Sequence, residues 1–87
     1  FVTNHNDIII LTNIIHTPQG YIRLAGHRFT RMTSYYEFPI DSADIGIYSV
    51  SKLSDREQLF RLSDVVRKCY LIPDGNIYLC IPLTHSS

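Results

Sequence analysis

The side chains that could do chemistry are few and scattered along this chain. Two Glu and six Asp residues form no recognisable catalytic pair. Four His residues show no metal-ligand spacing with one another or with the two Cys residues; they are His5, His16, His27 and His85. The four Gly residues are dispersed, so there is no glycine-rich phosphate loop. We therefore expect a chain that is not an enzyme and that holds no metal and no cofactor.

The two cysteines, Cys69 and Cys80, are too few for a disulfide framework. Cys69 lies in an apolar segment, where a buried thiol is unreactive. We predict two free thiols that pack side by side in the core. A disulfide between them in an oxidising setting is the alternative.

Aromatic side chains are the first candidate binding residues. Tyr35, Tyr36 and Phe38 surround Glu37, and Tyr48 follows downstream. Aromatic faces beside an acid suit a methylated ammonium group, because cation–π attraction then adds to a counter-charge. A loop of this kind also suits contact with a protein or a peptide. We predict that these four aromatic residues bind a partner; the alternative is that they close one end of the core.

A basic stretch is the second candidate. Its four residues are Arg23, His27, Arg28 and Arg31. No acidic residue occurs between Asp7 and Glu37, and guanidinium groups suit phosphate. The net charge of the chain is +0, which argues against strong nonspecific nucleic-acid binding. The stretch therefore indicates either a local nucleic-acid site or an ordinary solvated strand.

Composition indicates one globular domain over residues 1–87. The hydrophobic fraction is 45% and the charged fraction is 18%, and a chain of this length has room for one core. The first residue is Phe1 rather than Met, which suggests a piece of a longer protein. The apolar run at residues 8–11 is far shorter than the roughly 18 residues of a membrane span, so we expect no membrane partner.

Short β-branched and aromatic segments alternate with turn signals, which favours strands. We predict strands within residues 7–16, 21–24, 27–32, 45–53, 58–62, 68–72 and 76–81, with a bulge at Thr12-Asn13 and a bend at Ala25-Gly26. Asp41 or Ser42 is expected to cap one helical turn that ends at Gly46. Residues 54–68 have an alternative helical reading. The pattern predicts a mainly β chain of five or six short antiparallel strands, with at most one short helix.

The last hairpin has the most specific local signal. Asp74-Gly75 is a preferred two-residue hairpin loop. With that loop, paired residues sum to 149, and Cys69 lies directly opposite Cys80. Directly opposed cysteines have close Cβ atoms.

Residues 62–71 (LSDVVRKCYL) resemble the end of a bromo-adjacent homology domain, with residues 47–51 and 58–61 as the preceding strands. The wider pattern at residues 35–42, 68–73 and 81–83 is similar to β-rich C-terminal modules of transposon-derived eukaryotic proteins. These resemblances imply an SH3-like curved sheet or barrel, a nuclear location and a role in chromatin. They imply a protein or peptide partner such as a histone tail.

Three functions follow from the sequence. The first is a protein-interaction module that uses the aromatic residues. The second is nucleic-acid binding through the basic stretch. The third is a structural or oligomerisation domain, because an edge strand at residues 7–16 could pair between copies of the chain.

Overall fold

A computed structural model describes residues 1–83. Its strands are β1 (Val2–Thr3), β2 (Ile9–His16), β3 (Ile22–Ser34), β4 (Tyr48–Leu53), β5 (Gln58–Arg61), β6 (Val65–Arg67), β7 (Cys69–Asp74) and β8 (Ile77–Pro82). Two short 3₁₀ helices, Ser42–Ile45 and Leu62–Asp64, lie between them. Every strand pair is antiparallel. The prediction of a mainly β chain without a long helix is confirmed.

The strands form two open sheets rather than a closed barrel. β1 pairs with β6. The other six strands form one sheet in the order β2-β3-β4-β8-β7, with β5 also paired to β3. No helix in the described part of the chain is long and apolar enough to cross a membrane.

β3 organises the larger sheet because it has partners along both edges. β2 pairs with its first half on one edge, while β5 and then β4 follow one another along the other edge. β3 runs without interruption through Ala25-Gly26, where the sequence predicted a bend. A Cβ atom at Gly26 would lie 2.4 Å from the carbonyl oxygen of Ile10, so this glycine permits close approach of β2. The predicted bulge is confirmed at Thr12, where the pairing with β3 skips one residue.

The register of the β7–β8 hairpin corrects the sequence prediction. The loop is Gly75-Asn76, and Cys69 lies opposite Pro82, whereas Cys80 lies opposite Leu71. Gly75 has a φ of 63°, the left-handed backbone that a glycine at the first loop position supplies. The shift is two residues, which keeps every side chain on its predicted face.

The core is small, and its residues come from β1, the position before β2, and strands β3, β4 and β8. Its buried cluster comprises Val2, Ile8, Phe29, Val50 and Cys80. The rings of Phe29 and Tyr78 pack with centroids 5.6 Å apart.

The helical alternative for residues 54–68 is wrong. Gln58–Arg61 pairs with β3 instead, and Leu62–Asp64 forms a single 3₁₀ turn. Leu59, Leu62 and Val66 are exposed, so their helix-like spacing does not mark a buried face.

Candidate partner-binding surface

The aromatic loop, residues 35–41, connects β3 to the first 3₁₀ helix. Its side chains Tyr35, Tyr36 and Phe38 are all exposed, and Phe38 has 87% of its surface accessible. Ile40, in the same loop, is also exposed. The alternative that these rings close the core therefore does not hold for Phe38. Tyr35, Tyr36 and Phe38 therefore lie on one exposed segment, and their role in binding stays a prediction.

Ser42 fixes the start of this loop from within the protein. Its side chain is fully buried. The Ser42 hydroxyl accepts hydrogen bonds from the backbone N–H of Tyr35 at 2.7 Å and of Tyr36 at 3.1 Å, and it donates to the carbonyl oxygen of Ile47 at 2.8 Å. The Ser42 N–H donates to the Tyr36 carbonyl oxygen at 2.8 Å. One residue thus holds both ends of the loop together.

Asp41 supplies the cap that the sequence predicted. Its Oδ1 accepts a hydrogen bond from the Ala43 N–H at 3.0 Å and another from the Ser34 hydroxyl. These two hydrogen bonds, that of Ser34 first, lower the pKa of the Asp41 carboxyl, because they favour its charged form. Gly46, with a φ of 80°, ends the helical turn as expected.

Two tyrosine rings and a carboxylate meet at one side of the loop. The rings of Tyr35 and Tyr36 lie edge to face, with centroids 6.4 Å apart. The Tyr35 hydroxyl donates to Asp74 Oδ2 at 3.2 Å. This hydrogen bond and the negative charge of Asp74 raise the pKa of Tyr35. Asp74 comes from the β7–β8 hairpin, and no local sequence pattern indicates this contact.

Tyr48 does not join the exposed aromatic residues. It is half-buried on β4 and packs against the core cluster. Its hydroxyl lies 3.5 Å from the carbonyl oxygen of Ala43. The structure therefore separates the predicted set into three exposed rings and one half-buried ring that packs against the core cluster.

The four basic residues of β3 do not form one patch. Arg23 and His27 lie four residues apart on one face of β3, and Arg31 follows four residues later, which is about 13 Å between neighbours. Arg28 points to the other face and lies 3.9 Å from the carboxylate of Asp7. The Nδ1 atom of His27 is 2.8 Å from a backbone carbonyl oxygen in the turn after β4. The structure therefore spreads the predicted set along β3 and over both of its faces.

The two thiols are free and differ in acidity. Cys80 is buried and hydrogen-bonds to Cys69. That hydrogen bond lowers the pKa of Cys69 to about 6, while the same contact and burial raise the pKa of Cys80. Cys69 also lines an apolar cavity of about 410 Å³, with Leu11 and Leu24 among its neighbours. The prediction of two free thiols is confirmed.

Within residues 1–83, no three His, Cys, Asp or Glu side chains lie close enough to hold a metal ion. His85 lies outside the described residues.

Comparison with known proteins gives one family assignment. No curated protein and no solved structure matches the chain. Residues 1–83 match the sequence profile of a domain of unknown function, DUF8592. That match covers nearly the whole chain, so the protein belongs to the DUF8592 domain family.

Proposed function

We propose that this chain is a non-catalytic interaction domain that binds a protein or a peptide through the aromatic loop. The single observation that carries the proposal is the position of Phe38, 87% exposed on a loop that Ser42 anchors from inside the protein. Burying a Phe side chain against a partner contributes roughly 1.5–3 kcal/mol. Because the loop is already anchored, it loses little conformational entropy on binding, and most of this free energy remains available for affinity.

Other exposed apolar side chains occur close to Phe38 in sequence. Tyr35, Tyr36, Ile40 and Ile45 are also exposed, all within eleven residues of sequence. Aromatic residues are enriched where binding energy concentrates, since they supply large rigid contact area. The loop thus has the composition of an interface centre.

The shape of the chain supports a partner. Its radius of gyration is 14.0 Å, whereas a compact domain of this length has a radius of about 12 Å. Its accessible surface is 6263 Å², compared with about 5,200 Å² for a folded monomer of the same mass. A flat molecule with a small core gains more from a partner surface than a compact one does.

The partner class that we propose is a histone tail or another peptide in a nuclear complex. The resemblance of residues 62–71 to a bromo-adjacent homology domain supports this class. Tyr35 and Tyr36, set edge to face beside the carboxylate of Asp74, also support a cationic side chain as the bound group.

The test is an amide NMR titration of the chain with unmodified and methylated histone-tail peptides. We expect shifts confined to residues 35–41 and their contacts. Phe38→Ala should abolish them. Leu59→Ala removes an exposed apolar side chain of β5 and should leave them unchanged. Chemical-shift changes centred on another surface would contradict the proposal. No chemical-shift change with any of the peptides would contradict the histone tail as partner.

Self-association is a second candidate, favoured by β2. This strand ends the larger sheet, and Leu11 and Ile14 on it are exposed. An unpaired strand edge is a template for pairing with another copy. Sedimentation should then show a mass that rises with concentration and that Ile14→Lys returns to the monomer value. A monomer at every concentration would contradict this candidate.

A further inference from the structure

Two arginines from distant parts of the sequence lie opposite each other in the larger sheet. Arg23 of β3 and Arg61 of β5 are register partners. Directly opposed residues of antiparallel strands share a face, and like charges there are destabilising. Among residues 1–83, the structure shows one ion pair, between Arg28 and Asp7. In that part of the chain, therefore, no carboxylate lies within 4.0 Å of the guanidinium of Arg23 or of Arg61.

Asp64, the acidic residue nearest to Arg61 in sequence, has another role. The carboxylate of Asp64 accepts a hydrogen bond from the backbone N–H of Arg61 at 3.0 Å, which closes the 3₁₀ turn. The fold thus concentrates positive charge here without an ion pair to offset it. An anion placed between the two guanidinium groups would relieve their repulsion.

A groove of about 600 Å³ lies at this place. It is lined by Gly20, Tyr21, Ile22, Arg23, Arg61, Leu62 and Ser63. The guanidinium of Arg23 lies 5.5 Å from the ring centroid of Tyr21. Tyr21 and Leu62 are largely exposed. The groove therefore combines two phosphate-binding groups with an aromatic face and an apolar side chain.

We propose that this groove binds single-stranded nucleic acid. One backbone phosphate lies between Arg23 and Arg61, and a base stacks against Tyr21. Guanidinium groups match phosphate geometry, and base–aromatic stacking is the usual way in which proteins hold unpaired bases. The groove is open to solvent, and its volume lies within the small-ligand range of about 300–1,000 Å³, which is enough for one nucleotide.

This site differs from the one that the basic stretch predicted. Arg28 and Arg31 do not line the groove, whereas Arg61 does. A phosphopeptide would use the same two arginines but would leave Tyr21 without a planar partner. The stacking surface is the reason to favour nucleic acid.

The test is fluorescence anisotropy with a labelled single-stranded oligonucleotide, its duplex, a phosphoserine peptide and inorganic phosphate as competitors. With two phosphate-binding arginines, the logarithm of the affinity should fall against the logarithm of salt concentration with a slope of about −1.4. Arg23→Ala and Arg61→Ala should each weaken binding about tenfold and reduce that slope by about 0.7. Tyr21→Ala should weaken binding roughly 5- to 150-fold.

Arg31→Ala is the matched control, because it removes the same charge from β3 outside the groove. It should leave the affinity within about twofold, as expected for a residue without a phosphate contact. NMR mapping on the unmodified chain should place the shifts at residues 20–23 and 61–63. An equal loss with Arg31→Ala, tighter binding of the phosphopeptide or the duplex, or no binding at low salt would each overturn the proposal.

Discussion

The anchoring of the aromatic loop by Ser42 gives the sharpest prediction about the folded state. Ser42→Ala removes a fully buried hydroxyl that accepts two backbone hydrogen bonds, from Tyr35 and Tyr36, and donates one to Ile47. The three heavy-atom distances, 2.7, 3.1 and 2.8 Å, all lie in the normal range. The variant therefore loses three hydrogen bonds at once, without adding steric bulk.

The expected cost is about 2–4 kcal/mol. A typical intramolecular hydrogen bond contributes roughly 0.5–1.5 kcal/mol, and a buried group left without a partner costs roughly 1–3 kcal/mol. The total stays below the sum of all these values because Tyr35 and Tyr36 are exposed enough for water to reach part of the loop. The Ser42 backbone hydrogen bond to Tyr36 also remains in the variant.

Urea unfolding, followed by circular dichroism, measures the free energy, and amide hydrogen exchange locates the change at Tyr35 and Tyr36. Ser51→Ala on β4 is the matched control, since Ser51 is only half-buried; it should cost less than about 0.5 kcal/mol. A Ser42→Ala cost below that value, or unchanged exchange at the two tyrosines, would refute the anchoring argument.

Three further perturbations test other parts of the structure. Gly26→Ala should cost roughly 1–3 kcal/mol in thermal or urea unfolding, because its Cβ meets the backbone of β2; an unchanged midpoint would contradict that close approach. Asp74→Ala should lower the raised pKa of Tyr35 in an NMR titration of its ring, and the stability that their hydrogen bond contributes should be present below the unfolded pKa of about 10 and lost as pH rises through the higher folded pKa. Cys69 should react with iodoacetamide with a midpoint near pH 6, and Cys80→Ala should move that midpoint up; an ordinary thiol midpoint in the unchanged chain would show that the cysteine contact is not made.

Local chemistry made much of the fold predictable. The turn at residues 17–20, the bulge at Thr12 and the cap at Asp41 each depend on a few neighbouring residues, and each is found where the sequence places it. The β7–β8 register was not predictable in the same way, because Asp74-Gly75 and Gly75-Asn76 are overlapping two-residue loops. The hairpin signal alone does not choose between them.

The candidate sites also differ in whether neighbouring residues or strand pairing bring their side chains together. Tyr35, Tyr36 and Phe38 lie together because they are neighbours in sequence, so the sequence suffices to group them. Arg23 and Arg61 meet only because β5 pairs with β3. No local sequence pattern could show that pairing. The predicted basic set therefore contained only residues that are close to Arg23 in sequence.

The central claim is that the aromatic loop contacts a protein partner. We would place a photo-crosslinking amino acid at Phe38 of the protein in cells and compare it with the same group at Leu59, which is exposed on β5. We expect a discrete crosslinked protein from position 38 that Tyr35→Ala diminishes, and no such product from position 59. Equal products from both positions, or none from position 38, would contradict it.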